Sequence, residues 1–314
     1  MDAWTVGFFS PDDDPCKRRC KPLLYIATHP DKAKGQNIYG RPVDGLEVTI
    51  DVDNMRILSV IETDQLPIPP YDAMAEYSPD FESVRQGFRK DVKPLDVVQP
   101  DGPSFTVTGN KVEWQNWSFH VGFNSWEGLT LHLIEYNDTD SGRVRPVLFR
   151  ASVAEMVVPY GCPRVPNYRK NAFDAGEDGL GRSANPLHMG CNCLGHIQYF
   201  NAWMVSSEGQ PELVENAVCL HEEDYGILWK HTNWRTDDTE VRRSRRLVIS
   251  FISTIQNYEY GFFWYFYQDG GIQLEVKLTG ILNTTAMATG VDPTADGSGV
   301  LIAPNLFAAI HQVC

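Results

Sequence analysis

Leu247-Val248-Ile249-Ser250-Phe251-Ile252-Ser253-Thr254-Ile255-Gln256-Asn257-Tyr258-Glu259-Tyr260-Gly261-Phe262-Phe263-Trp264-Tyr265-Phe266-Tyr267 is the stretch on which the fold class turns. It is largely apolar, arginines 242, 243, 245 and 246 precede it, and it is long enough to suggest a membrane span. Asn257 and Glu259 near its middle oppose that reading, because a central carboxylate costs about 2.5–3.5 kcal/mol on insertion. Downstream, Asp269-Gly270 is a turn, and Ile272, Leu274, Val276 and Leu278 alternate with Gln273, Glu275, Lys277 and Thr279. That pattern belongs to a β-hairpin. The run is therefore read as strand buried on both faces, and no membrane span is expected.

Working outward, the chain from Phe105 onward is almost entirely β in pattern. Phe105 and Val107 lead through Gly109-Asn110 to Val112 and Trp114, and Trp117, Phe119 and Val121 follow in step. Later strands are read at 129–136, 147–151, 217–220 and 247–255. Short strands separated by turn signals at this density suggest a large antiparallel sandwich. The first third differs. Leu23 to Ala27 reads as a strand, and Leu46, Val48, Ile50 and Val52 alternate up to a turn at Asp53-Asn54, with a strand resuming at Ile57. Ser78-Pro79-Asp80 has the chemistry of a helix start, predicting a helix to about Phe88. The prolines and glycine of 93–103 mark a boundary, giving a small α+β domain over 1–96 and an all-β domain over 97–314.

Composition limits the function classes. The 314 residues are 42% hydrophobic and 22% charged, ordinary for a folded protein, and the formal net charge is −14. No basic face balances that charge, which argues against a nucleic-acid partner. The opening Met1-Asp2-Ala3-Trp4 is not a secretory signal, and no Ser-Lys-Leu peroxisomal tail is visible. A cytoplasmic or peroxisomal location is slightly favoured. Seven cysteines is an odd count, so at least one is unpaired within the chain. The states of Cys16, Cys20, Cys162, Cys191 and Cys314 are left open. Cys191-Asn192-Cys193 is too tight for a zinc knuckle with no second pair of suitable spacing.

Asn257-Tyr258-Glu259-Tyr260 resembles the cofactor-forming motif of copper amine oxidases. Further matches in family order are Trp114-Gln115-Asn116-Trp117, Ala154 to Tyr160, Ala172-Phe173-Asp174-Ala175-Gly176-Glu177, Gly190 to Gly195 and His221-Glu222-Glu223-Asp224. The resemblance covers nearly the whole chain. It implies a cystatin-like N-terminal domain of the family's N3 kind and a β super-sandwich, incomplete here. It implies oxidation of primary amines by oxygen to aldehyde, ammonia and hydrogen peroxide, with Cu(II), topaquinone and a homodimer.

On this resemblance Tyr258 is the tyrosine oxidised to topaquinone, which then forms a Schiff base with the amine. Asn257 is the neighbour that orients the ring. Asp174 is the base that removes a proton from the carbon beside the amine nitrogen, and it should be buried with a raised pKa. The Tyr160 hydroxyl would bond the quinone oxygen opposite the reacting carbonyl; a packed strand-end aromatic is its alternative reading. Ala172 stands where the family often gates the substrate channel, and alanine there hints at tolerance of bulky amines. Cys193 and Cys219 match a family disulfide.

The copper set departs from the pattern. In the family a His-x-His pair and a distant third histidine hold the metal, and on a strand residues i and i+2 share a face. His311 fits the first ligand, the second position is Val313, and the sequence closes at Cys314. An inactive truncated fragment or pseudoenzyme with exposed sheet edges is therefore the second expectation beside the oxidase.

Overall fold

The computed structural model describes residues 2–4, 16–27, 36–70, 76–162, 171–172, 174–177, 179–295 and 297–310. The chain forms two compact units, one of residues 1–93, 157–172 and 281–314, the other of residues 94–156 and 173–280.

The second unit holds two five-stranded antiparallel sheets, each a meander with strands in chain order. The first comprises Phe105–Thr108, Lys111–Trp114, Trp117–Asn124, Gly128–Asp138 and Arg143–Ala151. The second comprises Gln198–Val205, Pro211–Thr232, Thr239–Ile255, Tyr258–Tyr267 and Ile272–Gly280. The period-2 signal does what the pleat requires: Trp117, Phe119 and Val121 are buried while Ser118, His120 and Gly122 are half-buried.

Aromatic side chains join the two sheets. Phe119 stacks on Phe266 with ring centroids 4.6 Å apart, and Trp117 meets Phe266 edge-on at 5.2 Å. The Trp117 indole N–H donates to the Tyr267 carbonyl at 2.8 Å, and Phe123 meets Phe251 at 6.0 Å. A buried indole needs such a partner, and these pairs contribute about 0.5–1.5 kcal/mol each beyond area burial.

The apolar run 247–267 is cut at Gln256, so it forms two strands rather than one. Ile255 pairs with Tyr258, leaving Gln256 and Asn257 as the loop, and Gln256 has a φ of +56°. Residues 247–251 are buried without alternation, as expected of a strand covered on both faces. The inner face joins the main core; on the outer face Ile252 packs with Leu187, Cys193 and Cys219.

The first unit carries smaller sheets. Arg19–Cys20, Leu46–Asp51 and Arg56–Glu62 form one, and Thr285–Ala286, Leu306–Ala309 and Gly299–Ala303 another. The strand read at 23–27 is shorter, Leu23–Tyr25. The helix expected from Ser78 spans only Glu82–Gly87. The Ser78 hydroxyl does accept from the Asp80 amide at 3.3 Å, but the Phe81 amide closes a tighter turn on the Ser78 carbonyl at 3.1 Å, so helical bonding starts later. Among the described residues no helix is long and apolar enough to cross a membrane.

An ion pair in the second unit makes stability depend on pH. The Glu127 carboxylate accepts from Arg150 Nη1 at 2.8 Å, from Arg150 Nη2, from Ser152 Oγ at 2.7 Å and from Asn124 Nδ2 at 2.9 Å. Arg150 foremost, against an upward push from burial, holds its pKa at about 2, below the ordinary 4.5. Because the folded value is the lower one, this stabilisation is complete above pH 4.5 and is lost as pH falls towards 2. Chemical denaturation at pH 7 and pH 3 should show Arg150→Ala costing about 1–2 kcal/mol at the upper value and distinctly less at the lower. An equal cost at both would exclude this carboxylate as the cause.

Candidate active site

Tyr258 opens its strand directly behind the two-residue turn. Its side chain is half-buried and its ring lies over Tyr260 at 5.9 Å, 24° from parallel. Asn257, the preceding residue, is buried at 5% exposure. The turn holds a non-glycine residue at positive φ, a conformation costing about 1–2 kcal/mol. The neighbouring Glu259 is clamped: the Thr254 hydroxyl donates to Oε1 at 2.9 Å and Asn185 Nδ2 donates to Oε2 at 3.2 Å. Asn185 and Thr254 thereby fix the strand end carrying Tyr258. Sequence reading missed Asn185, an isolated polar residue in a loop with no periodic signal.

Gly280 faces the Tyr258 backbone across the sheet at φ +96°. A Cβ there would sit 2.7 Å from the Asn257 carbonyl oxygen and 2.7 Å from the Glu259 nitrogen. Gly280→Ala should therefore lower stability by about 1–3 kcal/mol and displace Tyr258. A melting curve within error of the parent would show the turn to be yielding.

Asp174 begins a four-residue helix, Asp174–Glu177, whose Ala175 is fully buried in the core of the second unit. The Asp174 side chain lies outside the described residues, and so does the expectation of its raised pKa. Within the first unit, Val158 pairs with Ala172 and Pro159 with Asn171. Tyr160 follows that bridge and is buried at 9% exposure. The Gly161 amide donates to the Ile310 carbonyl at 2.5 Å, which sets the Tyr160 strand beside the residue preceding His311. His311 and Val313 lie outside the described residues. The structure thus brings Tyr258, Asn257 and Glu259 together in one unit, and Tyr160 and the approach to His311 in the other.

Cys193 and Cys219 form a disulfide across a sequence separation of 26. Beside it, Glu222 is buried at 4% exposure. Its carboxylate accepts from the Trp114 indole at 2.8 Å, the Ser104 amide at 2.7 Å and Gln99 Nε2 at 2.7 Å. Burial pushes the Glu222 pKa up, but these donors outweigh it and the net shift is downward. The carboxylate is therefore a charged tie between the two sheets.

Residues 106–313 match the family described as copper amine oxidase, enzyme domain, and residues 1–80 match the copper amine oxidase N3 domain. The chain belongs to the copper amine oxidase family. It is similar to N-methylputrescine oxidase 1, peroxisomal, of Nicotiana tabacum, at 51% identity over 99% of this chain and 39% of that protein. It is also similar to a primary amine oxidase of Arthrobacter sp. (strain P1), at 43% identity over 99% of this chain and 46% of the relative. A copper-containing benzylamine oxidase from Hansenula polymorpha has the same fold, with a TM-score of 0.81, 36% identity, and coverage of 99% of this chain and 48% of that one. The chain thus spans less than half the length of these copper amine oxidases.

Proposed function

We propose that this chain supplies the quinone-forming tyrosine and the proton-accepting carboxylate of a copper amine oxidase, which converts primary amines, oxygen and water to aldehyde, ammonia and hydrogen peroxide. The observation that carries the reading is Tyr258, in Asn257-Tyr258-Glu259-Tyr260, half-buried at a strained turn inside a segment matching the family's enzyme domain.

Tyr258 suits the quinone. Gly280 keeps the backbone opposite clear of side chains, and the Glu259 clamp fixes where the ring starts. A quinone at this position supplies the carbonyl that a tyrosine lacks. In this reading the Asp174 carboxylate takes the proton from the carbon beside the amine nitrogen. Buried Asn257 holds the ring in one orientation. Copper is a different matter. His311 alone matches a family ligand, with Val313 at the next position, and one imidazole does not make the tetragonal field that Cu(II) prefers.

The relatives' names specify amines as different as N-methylputrescine and histamine, so we keep the class of substrate as primary amines. The family's homodimer, a cystatin-like fold within residues 1–96, a catalytic domain over 97–314 and a peroxisomal location belong to the same proposal. The last has support from two relatives described as peroxisomal.

The test is a redox-cycling quinone stain on copper-loaded protein, with peroxide measured on adding a primary amine. Staining and amine-dependent peroxide are expected of a form that carries two further histidine donors. If residues 1–314 load no copper and give neither, while a form extended by two further histidine donors gives both, this stretch alone is inert. If that completed form also fails, the oxidase reading falls.

A further inference from the structure

The disulfide lies in a setting that it does not need. Cys219 and His221 stand at i and i+2 on the strand Pro211–Thr232, so they share a face. Sulfur and ring nitrogen atoms of Cys193, Cys219 and His221 all lie within 4.8 Å of one another, and all three residues are buried. His221 Nδ1 is 4.0 Å from the Cys219 sulfur, and the Ser250 hydroxyl is 3.3 Å from that sulfur.

The other side of the imidazole is an independent indication. His221 Nε2 lies 3.2 Å from Glu223 Oε1, and Arg246 holds Glu223 through Nε at 2.7 Å. A carboxylate on Nε2 favours the tautomer with its proton there, leaving the Nδ1 lone pair on the side of the sulfurs. That is the carboxylate–histidine arrangement that orients metal ligands. Cys193, His221, Glu223 and Cys191 also line a cavity of about 510 Å³, through which a small reductant or ion can arrive. The pair of ligands that Cys191-x-Cys193 lacked in the sequence is Cys219-x-His221, brought over by the sheet.

From this geometry we infer that reduction of Cys193–Cys219 opens a thiolate–imidazole site for zinc, with Cys193, Cys219 and His221 as ligands and the fourth position open to the cavity. The step balances: two equivalents of a monothiol break the S–S bond, transfer two electrons and two protons, and leave as their own disulfide. Zinc then displaces the two thiol protons. Tetrahedral zinc with sulfur at about 2.3 Å and nitrogen at about 2.0–2.1 Å sets ligand–ligand edges of about 3.5–3.8 Å. His221 Nδ1, 4.0 Å from the Cys219 sulfur, closes by about half an ångström, while the two sulfurs, held at a bond length of about 2.05 Å in a disulfide, part by about 1.7 Å once reduced. Two thiolates and an imidazole suit zinc better than a hard cation. The disulfide and the metal are exclusive occupants, and the compartment's redox poise decides between them.

The experiment reduces the full chain anaerobically with a phosphine, counts thiols, removes the reductant and adds Co(II) as a spectroscopic probe. One equivalent should bind with a thiolate-to-cobalt charge-transfer band that zinc abolishes, and the band should be absent before reduction. His221→Gln keeps the disulfide, so it tests the site even if Cys193→Ser or Cys219→Ser fails to fold. Glu223→Gln should retain the band with affinity about 10–100-fold weaker, and His221→Gln should lose more than that. Two new thiols without a band, a band in unreduced protein, or a band unchanged in His221→Gln would each overturn the site.

Discussion

Copper-loaded protein carrying Tyr258→Phe is expected to give no quinone stain and no amine-dependent peroxide. Phenylalanine keeps the ring, the stacking on Tyr260 and the burial, but it lacks the oxygen at which the ring is activated. The electrophile is then never made. Relative to a form in which the parent turns over, the loss should reach the uncatalysed level, at least about 10⁶-fold. Near-ultraviolet circular dichroism separates loss of the quinone from any loss of folding. Residual stain in Tyr258→Phe would move the quinone to another residue, with Tyr260 next to be examined.

Asp174→Asn is expected to leave the stain intact while amine oxidation falls by about 10²–10⁴-fold, the usual contribution of a positioned general base. The amide is nearly isosteric but cannot accept the proton. The defect should therefore lie in the half-reaction that reduces the quinone, and deuterium at the carbon beside the amine should slow it further. Stopped-flow bleaching of the quinone by amine reads this step directly. A bleaching rate equal to the parent's would remove Asp174 from the reaction, whatever happened to overall turnover.

The two effects were legible to different degrees. The role proposed for Tyr258 rests on a four-residue motif that by itself would pass for an ordinary aromatic strand, and gains weight only from the other matches in family order. The role proposed for Asp174 rests on those separated matches altogether; an acidic residue in a glycine-bearing turn carries no such signal by itself. The sandwich was legible because its strands alternate, as at Trp117, Phe119 and Val121, and because turns such as Gly109-Asn110 and Asp269-Gly270 punctuate them. The helix boundary after Ser78 was less so: serine, proline and aspartate favour a helix start and a tight turn almost equally, and a competing 78-to-81 hydrogen bond decided it. The break at Gln256 was also hidden, since a glutamine at positive φ has no compositional mark.

Local order thus followed from side-chain period, turn chemistry and motif, all written within a few consecutive residues. The partners across the sheets did not. That Glu222 accepts from Trp114, that Asn185 clamps Glu259, and that Cys219 and His221 come to Cys193 depends on strands separated by tens to more than a hundred residues settling into one register. Sheet register is set by burying whole faces at once, so it belongs to the assembled sandwich and to no single segment.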